Sequence, residues 1–425
     1  VLYKKNYFVK TTSGLGIIFF EVLMSKVLCR SCDLVVDLPE YQRGIQCVCP
    51  RCGALLRPAF IENERVLAIV ALSTLLFGGT CIFLPYLEIS SYGVYSSLKL
   101  IDIFTILDYQ WAGLLYIFLL VTFFSPLILL SIIAFFGIFT KIRPPVILAR
   151  IYQVSHSLCM VDVFIMGILV SLIKLSSLAS VEFYAGFYLS FLFSILLLWL
   201  CIRCRPEWFW NRVIKFDIEK AETGINGSKQ KLFLCRCCGM AFSSDINGSK
   251  CPRCRKVTYN RQKNCFQRTF ALLVAALILY LPSNLYPVMY TELLFSNTGS
   301  NIIDGVIAMW NMKSYFVAIV ILLASIFIPI FKILILCFIL FAVKSNKVCN
   351  SKLLTILYRI VHFIGRWSMI DVFVVIIMSS VVRLSGLLTI YPGFAIICFC
   401  SVVFITIFAV DAFDERLIWD HENNG

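Results

Sequence analysis

The stretch Arg366-Trp367-Ser368-Met369-Ile370-Asp371-Val372-Phe373 lies inside a long apolar segment, and a shorter copy, Met160-Val161-Asp162-Val163-Phe164, lies inside another. In each copy one aspartate stands among apolar side chains. A carboxylate in such surroundings costs free energy unless it is paired or has a function. The two copies therefore indicate a repeated membrane element with a polar group at its centre.

Apolar segments of this kind recur along the whole chain. Of the 425 residues 60% are hydrophobic and only 15% are charged, whereas a soluble domain carries roughly a quarter charged residues. Runs of about 20 apolar residues are long enough to cross a bilayer as helices. The composition predicts an all-α polytopic membrane protein, and the mixed, basic first residues lack the pattern of a cleavable signal peptide.

The apolar segments form two groups of four, so eight transmembrane helices are expected. Their predicted bounds are 66–84, 111–139, 150–175 and 184–200, then 269–286, 315–343, 360–384 and 393–410. Polar excursions over 88–110 and 288–314 follow the first helix of each group. Because four is even, both groups should enter the membrane in the same direction, as in parallel transporter repeats.

The two groups align with a near-constant offset. Cys49, Cys52, Pro85 and Asp102 recur 202 residues later, and Pro126 recurs 203 residues later. Arg150, Met160, Asp162 and Phe164 recur 209 residues later as Arg359, Met369, Asp371 and Phe373. The chain is therefore interpreted as a tandem duplication of one unit.

A pattern of paired cysteines precedes each group of helices. Two C-x-x-C knuckles at this separation aim four thiolates at one point, which completes a tetrahedral Zn²⁺ site. The predicted ligands are Cys29, Cys32, Cys49 and Cys52 in the first zinc ribbon, and Cys235, Cys238, Cys251 and Cys254 in the second. Iron is the alternative metal, since Cys-Pro-x-Cys-Gly also occurs in rubredoxin-like sites. Cys47 and Cys237 are spare, and Cys47 would replace Cys49 if that knuckle were misread.

These patterns predict the domain boundaries. They are an N-terminal tail over 1–28, a first ribbon over 29–57, a first transmembrane unit over 64–205, a linker over 206–234, a second ribbon over 235–258, a second transmembrane unit over 266–412 and a C-terminal tail over 413–425.

The formal net charge of +14 fits a membrane protein whose basic loops meet anionic headgroups better than a nucleic-acid-binding protein. Under the four-helix count, the basic loops, both ribbons and both termini fall on one side. The positive-inside rule makes that side cytoplasmic. A reducing compartment also agrees with thiolates that bind metal rather than form disulfides.

Lys332 is the one lysine placed near the centre of a predicted helix, where the first unit has Leu129. Asp162 and Asp371 are predicted near mid-bilayer in the third helix of each unit. Because helices 2 and 3 run antiparallel, Lys332 and Asp371 could meet at one depth and form a transport site. The alternative is a carboxylate held by hydrogen bonds for packing only.

Further candidate transport residues lie near the outer ends of helices. Pro287, with Ser283 and Asn284 before it, marks either a broken helix at a binding region or a simple helix end. Lys174 and Arg383 correspond to each other and either reach the outer headgroups or line a lipid exit. No catalytic motif is present, so an enzyme is not expected. Haem ligation by His156 and His362 is a minor alternative.

The duplicated ribbons, the four-helix units and the stretch Arg366–Phe373 together resemble the paraquat-inducible protein A (PqiA/LetA) family of Gram-negative inner membranes. The resemblance covers nearly the whole chain, although Ser157-Leu158-Cys159 departs from the fuller motif of the second half. It implies lipid transport, in which phospholipid passes between the inner membrane and a periplasmic MCE-domain tunnel partner. Proton coupling through Asp371 and Lys332 is our own hypothesis. The alternatives are a non-transporting scaffold that anchors the tunnel protein and, less favoured, a membrane redox protein with iron or haem.

Overall fold

The chain is described by a computed structural model. The described residues are 9–11, 14–16, 25–39, 41–60, 62–91, 94–99, 116, 119–176, 180–214, 221–293, 296–311, 313, 315–345, 350–370, 373–374 and 388–420. Within these ranges seven helical segments are long and apolar enough to cross a membrane. The predicted span over 360–384 lies partly outside the described residues, and Asp102, Asp371 and Arg383 lie wholly outside them.

The helices of the first half are α1 (Glu64–Phe83), α2 (Ser125–Ile138), α3 (Val146–Leu158), α4 (Val161–Ser176), α5 (Ala185–Arg203) and α6 (Pro206–Val213). Asn63 begins α1 by accepting a hydrogen bond from the Arg65 amide, 3.3 Å long, as N-cap side chains do. A π-helical turn over Leu120–Phe124 leads into α2.

The second half repeats this order. Its helices are α7 (Cys265–Leu285), α8 (Ile302–Asn311), α9 (Tyr315–Leu322), α10 (Ile328–Lys344), α11 (Ser351–Trp367), α12 (Phe394–Ala412) and α13 (Leu417–Asp420). A π-helical turn over Leu323–Phe327, 203 residues after that of the first half, joins α9 to α10.

Short antiparallel strands frame the cysteines. In the first half they are β1 (Val9–Thr11), β2 (Gly14–Gly16), β3 (Ser25–Leu28), β4 (Val35–Leu38), β5 (Gln46–Val48) and β6 (Leu55–Arg57), arranged as a β2-β1-β5-β6 sheet and a β3-β4 hairpin. The predicted tail over 1–28 therefore contributes strands to this domain. In the second half β10 (Leu232–Leu234) pairs with β11 (Ala241–Ser243), and β12 (Ser249–Lys250) pairs with β13 (Val257–Thr258).

Two three-stranded antiparallel sheets were not expected, so the prediction of all-α transmembrane units is incomplete. In the first half β7 (Pro85–Ser91) lies between β8 (Val94–Lys99) and β9 (Ser180–Phe183). In the second half β14 (Met289–Leu293) lies between β15 (Ser296–Ser300) and β16 (Leu388–Pro392). Each sheet joins the end of the unit's first helix to the segment before its last helix. It does so by pairing residues that are far apart in sequence, such as Ser90 with Ser180 and Met289 with Pro392.

The expectation of one continuous third helix is wrong for the first half. The chain leaves the helix at Cys159, whose backbone is extended (φ −68°, ψ 104°), and re-enters it at Val161. In the second half α11 ends at Trp367. The same backbone bonds surround both breaks: Phe164 N donates to Met160 O and Phe373 N donates to Met369 O, at 3.0 and 3.2 Å.

The predicted linker and C-terminal tail are also structured. The linker contains α6, where Phe209 and Trp210 are buried, and the tail contains α13, where Trp419 is buried. Trp210 and Trp419 are 209 residues apart. These aromatic side chains explain why polar, Gly-containing segments nevertheless pack against the helices.

The two halves meet where their third helices are interrupted. The rings of Phe164 and Phe373 pack edge to face, with centroids 6.0 Å apart. A side-chain carbon added at Gly167 would lie 3.0 Å from the Phe373 Cβ, so α4 approaches the second half closely. Equivalent residues thus contact each other across the junction between the halves.

Candidate functional site

Two buried groups of four cysteines are the clearest site. The ligand atoms within each group lie within 4.8 Å of one another. The groups are Cys29, Cys32, Cys49 and Cys52, and Cys235, Cys238, Cys251 and Cys254. These are the eight cysteines that the spacing predicts, whereas Cys47 lies in β5 and Cys237 hydrogen-bonds Gln153.

The sulfur positions fit a metal. The sulfur atoms of Cys29 and Cys52 are 3.6 Å apart, and those of Cys32 and Cys49 are 3.5 Å apart. In the second group the sulfur atoms of Cys235 and Cys254 are 3.4 Å apart, and those of Cys238 and Cys251 are 3.5 Å apart. Four thiolates around Zn²⁺ at about 2.3 Å would be separated by roughly 3.8 Å, whereas a disulfide requires about 2.0 Å. Each group of four cysteines could therefore hold a metal ion.

The pKa shifts of the thiols are consistent with a cation site. Hydrogen bonds from Cys29 and the other thiols lower the pKa of Cys52, while the bond to Cys29 raises the pKa of Cys32. In the second group the bond from Cys238 lowers the pKa of Cys235, and the bond to Cys235 raises the pKa of Cys238. Without a cation, hydrogen bonds from neighbouring thiols stabilise one thiolate, and the neighbours themselves stay protonated. A divalent metal permits all four to be deprotonated.

Each ribbon docks on the helices of the other half. Arg359 of α11 donates a hydrogen bond to the carbonyl of Cys52 in the first ribbon, 3.0 Å long. Arg150 of α3 donates one to the carbonyl of Cys254 in the second ribbon, 2.5 Å long. Arg51 of the first ribbon also lies 4.6 Å above the ring of Trp419. The matched arginines therefore hold the ribbons in a reciprocal arrangement.

Asp33 fastens the first ribbon to the second half. Its buried carboxylate accepts hydrogen bonds from Arg261, at 3.0 Å, and from the amide of Ser228, at 3.1 Å. Its backbone is left-handed (φ 61°), and the second ribbon has Gly239 (φ 67°) at this place in the knuckle. Glycine adopts that conformation at little cost and aspartate less readily. The ion pair accounts for an aspartate where the local geometry favours glycine.

Replacing Asp33 with asparagine should lower the thermal unfolding midpoint of the purified chain by several degrees. The change leaves buried Arg261 without one of its two carboxylate partners, the other being Asp420 at 2.6 Å. Breaking a buried ion pair costs roughly 3 kcal/mol. Asp245→Asn is the matched control, because the Lys231–Asp245 pair is solvent-exposed and its loss should change nothing measurable. Equal shifts for both variants would contradict the role given to Asp33.

A second polar site lies inside the second transmembrane unit. Lys332 of α10 is only 3% exposed, and its ammonium donates a hydrogen bond to Thr406 of α12, 3.1 Å long. Thr406 in turn donates to the carbonyl of Val403, 2.9 Å away. No carboxylate pairs with Lys332 among the residues that the structure describes. The predicted partner Asp371 lies outside them, so that pairing stays a prediction.

Asp162 occupies a different position from the one predicted. Since the helix is broken at Cys159, Asp162 lies in the first turn of α4 rather than twelve residues from either end of one helix. A negative charge is favoured at a helix N-terminus by the free amides and the helix dipole. The break therefore gives a physical reason for a carboxylate within a membrane-spanning segment.

The other predicted transport residues are dispersed. Pro287 lies beyond the end of α7, so the helix ends there rather than being interrupted. The side chains of Ser283 and Asn284 both donate to the carbonyl of Tyr280, at 2.8 and 2.9 Å. Lys174 belongs to α4, and Arg383 lies outside the described residues.

The two histidines proposed as alternative haem ligands have other neighbours. His156 lies 3.1 Å from the carbonyl of Cys201, and His362 lies 3.6 Å from the carboxylate of Asp411. Sequence reasoning missed Thr406 and Asp33. The signal for Thr406 was a hydroxyl within an apolar span. The signal for Asp33 was an acidic residue at a knuckle position that favours glycine.

Comparison with known proteins gives consistent results. The model of a family described as Paraquat-inducible protein A matches residues 64–214 and again 266–423. Intermembrane transport protein PqiA of Escherichia coli (strain K12) is 34% identical over 408 residues, which is 93% of this chain and 96% of that protein. No solved structure matches the chain.

Two further relatives are more distant. A Probable intermembrane transport protein of Haemophilus influenzae (strain ATCC 51907 / DSM 11121 / KW20 / Rd) is 28% identical over 402 residues, 92% of this chain and 95% of that protein. Lipophilic envelope-spanning tunnel protein A of Escherichia coli (strain K12) is 28% identical over 407 residues, 93% of this chain and 92% of that protein.

Proposed function

Because the chain belongs to the paraquat-inducible protein A family, we propose that it is a membrane-embedded subunit of a lipid transport system. It moves phospholipid between the inner membrane of a Gram-negative cell and a periplasmic MCE-domain tunnel protein. The names of its relatives support transport between membranes. The observation that carries the proposal is a buried polar site, Lys332 with Thr406, inside a chain with seven candidate spans.

The proposed topology places eight helices in the membrane as two copies of one four-helix unit. The paired cysteine groups, sheets and π-turns of the two halves support the duplication. The ribbons and both termini lie in the cytoplasm, where Zn²⁺ holds each cysteine group; iron remains the alternative metal. The two sheets face the periplasm, where the tunnel partner binds, and no nucleic acid is involved.

In this proposal, the step that drives lipid transport is a proton transfer at the polar site of the second half. Lys332 already hydrogen-bonds Thr406, and Asp371 supplies the carboxylate in this proposal. The first half has Leu129 in place of Lys332, so Asp162 serves a different, structural purpose at the start of α4. Lys174 and Arg383 contact headgroups of the outer leaflet in this proposal. Ser283 and Asn284 shape the end of α7, just before Pro287.

The test is reconstitution of the chain with its tunnel partner in donor vesicles that contain labelled phospholipid. We expect phospholipid to move to acceptor particles, and to move several-fold faster with a pH gradient than without it. Transfer at one rate under both conditions would refute proton coupling. No transfer under any condition would favour the scaffold. Visible absorbance of the purified protein would favour the redox alternative.

A further inference from the structure

The first transmembrane unit contains an apolar cavity of about 150 Å³. It is bounded by the last turns of α1, the π-turn before α2, the first turns of α4 and the start of α5. Its walls include Gly78, Gly79, Phe123, Leu130, Phe164 and Phe193. None of the described residues that line it is charged. An apolar cavity of roughly this volume stays dry and accepts small apolar molecules.

The cavity extends from the lipid-facing surface to the interior of the unit. Gly79 is exposed and Leu127 is 55% exposed, whereas Leu130 and Val161 are 1% and 3% exposed. A side-chain carbon added at Gly79 would meet nothing within 4 Å. The entrance is therefore on the face of the helices that borders the hydrocarbon of the bilayer, in the half of the membrane next to the sheet.

Among the described residues, the second half has a tyrosine where the first half has a glycine of the cavity wall. Tyr280 stands 202 residues after Gly78, and its hydroxyl donates to the carbonyl of Ile326, 3.3 Å away. Ile326 corresponds to Phe123, a wall of the cavity. A tyrosine thus reaches across to the π-turn in one half, while in the other half Gly78 has no side chain and the Phe193 ring packs against it. The difference between the halves lies at a residue of the cavity wall.

We infer that the cavity holds a segment of one hydrocarbon chain of a membrane phospholipid, with the headgroup outside. Resting on the proposed function, the inference gives the first half the role of holding lipid, while the polar site lies in the second half. Hydrocarbon is the apolar ligand that surrounds the entrance. Filling the cavity restores the dispersion contacts that its walls otherwise lack.

The experiment uses the full chain in nanodiscs that contain phosphatidylethanolamine with a photoreactive diazirine in the middle of one acyl chain. After illumination, mass spectrometry locates the labelled residues. We expect labelling of Leu130, Phe164 and Ile165 inside the cavity, as well as of exposed Leu72 and Leu76. Labelling confined to the exposed residues would overturn the inference, because it would show surrounding lipid only.

A double variant gives the cavity of the first half the side chains found at the corresponding positions of the second half. A carbon added at Gly78 would lie 2.8 Å from the Phe193 ring, and the register of Gly186 and Gly393 pairs Phe193 with the smaller Cys400. The double variant Gly78→Tyr/Phe193→Cys should therefore reduce interior labelling at least fivefold and leave labelling of Leu72 unchanged. Unchanged interior labelling would overturn the inference.

A second variant guards against misfolding of the first. Gly79→Leu introduces a side chain where there is space and should also reduce interior labelling several-fold, and undiminished labelling would refute the inference. Because labelling requires neither the tunnel partner nor transfer, the two proposals fail separately. Interior labelling without transfer refutes transport only, and transfer without interior labelling refutes the cavity only.

Discussion

Lys332→Met is expected to reduce phospholipid transfer at least tenfold without unfolding the chain. Lys332 is almost fully buried, and its hydrogen bond to Thr406 is its polar contact among the described residues. Methionine has a similar length and no charge, so it fills the same space in an apolar helix. A buried ammonium within the membrane is costly and is retained mainly for function.

The second half offers a partial test of the same contact, and the first half offers the control. Thr406→Val removes the hydroxyl that accepts from Lys332 and should give a smaller reduction. Leu129→Met alters the corresponding position of the first half, which is also buried, and should leave transfer near the wild-type rate. If Lys332→Met transfers lipid at full rate, the proposed proton step is wrong.

The double substitution Cys29→Ser/Cys32→Ser is expected to lower the bound metal from two equivalents per chain to one. Structural Zn²⁺ contributes on the order of 10 kcal/mol to the folding of small domains. The first ribbon should therefore unfold, which elemental analysis and a large fall in the thermal midpoint would detect. Cys47→Ser is the matched control, because Cys47 is buried in β5 of the same ribbon but belongs to neither cysteine group.

Because each ribbon docks on helices of the other half, loss of its metal should loosen the structure of that other half. Without the first ribbon, the contacts of Arg359 with Cys52 and of Arg51 with Trp419 disappear. Limited proteolysis should then accelerate around α13 in the second half. Cys235→Ser/Cys238→Ser should instead expose α6 in the first half. Cleavage that accelerates in the ribbon's own half in both variants would contradict the reciprocal arrangement.

Patterns with short sequence spacing were predictable. C-x-x-C knuckles identified all eight members of the two cysteine groups, because the geometry of a knuckle is local. The apolar spans were located to within a few residues at most described ends, as for α5, predicted from 184 and found from Ala185. Hydrophobicity determines such segments almost alone in a bilayer.

Features that depend on distant residues were not predictable. The break at Cys159 has no proline or glycine to announce it, and it coincides with the packing of Phe164 on Phe373 of the other half. The two three-stranded sheets pair segments that are far apart in sequence, such as Glu88 with Glu182. In the sequence their strands look only like polar excursions. The choice of aspartate at the left-handed position 33 is explained by its ion pair with Arg261, which lies 228 residues away in sequence.

The reciprocal docking of the ribbons has a consequence for biosynthesis. The first ribbon leaves the ribosome long before its docking helix, since Cys52 and Arg359 are 307 residues apart. At roughly 5–20 residues per second, this interval lasts about 15–60 s. During this interval the four thiols must either bind their metal or remain free while the docking helices are still being synthesised. Neither half can complete its fold before the ribosome has made part of the other, so a chain that terminates early leaves both halves incomplete.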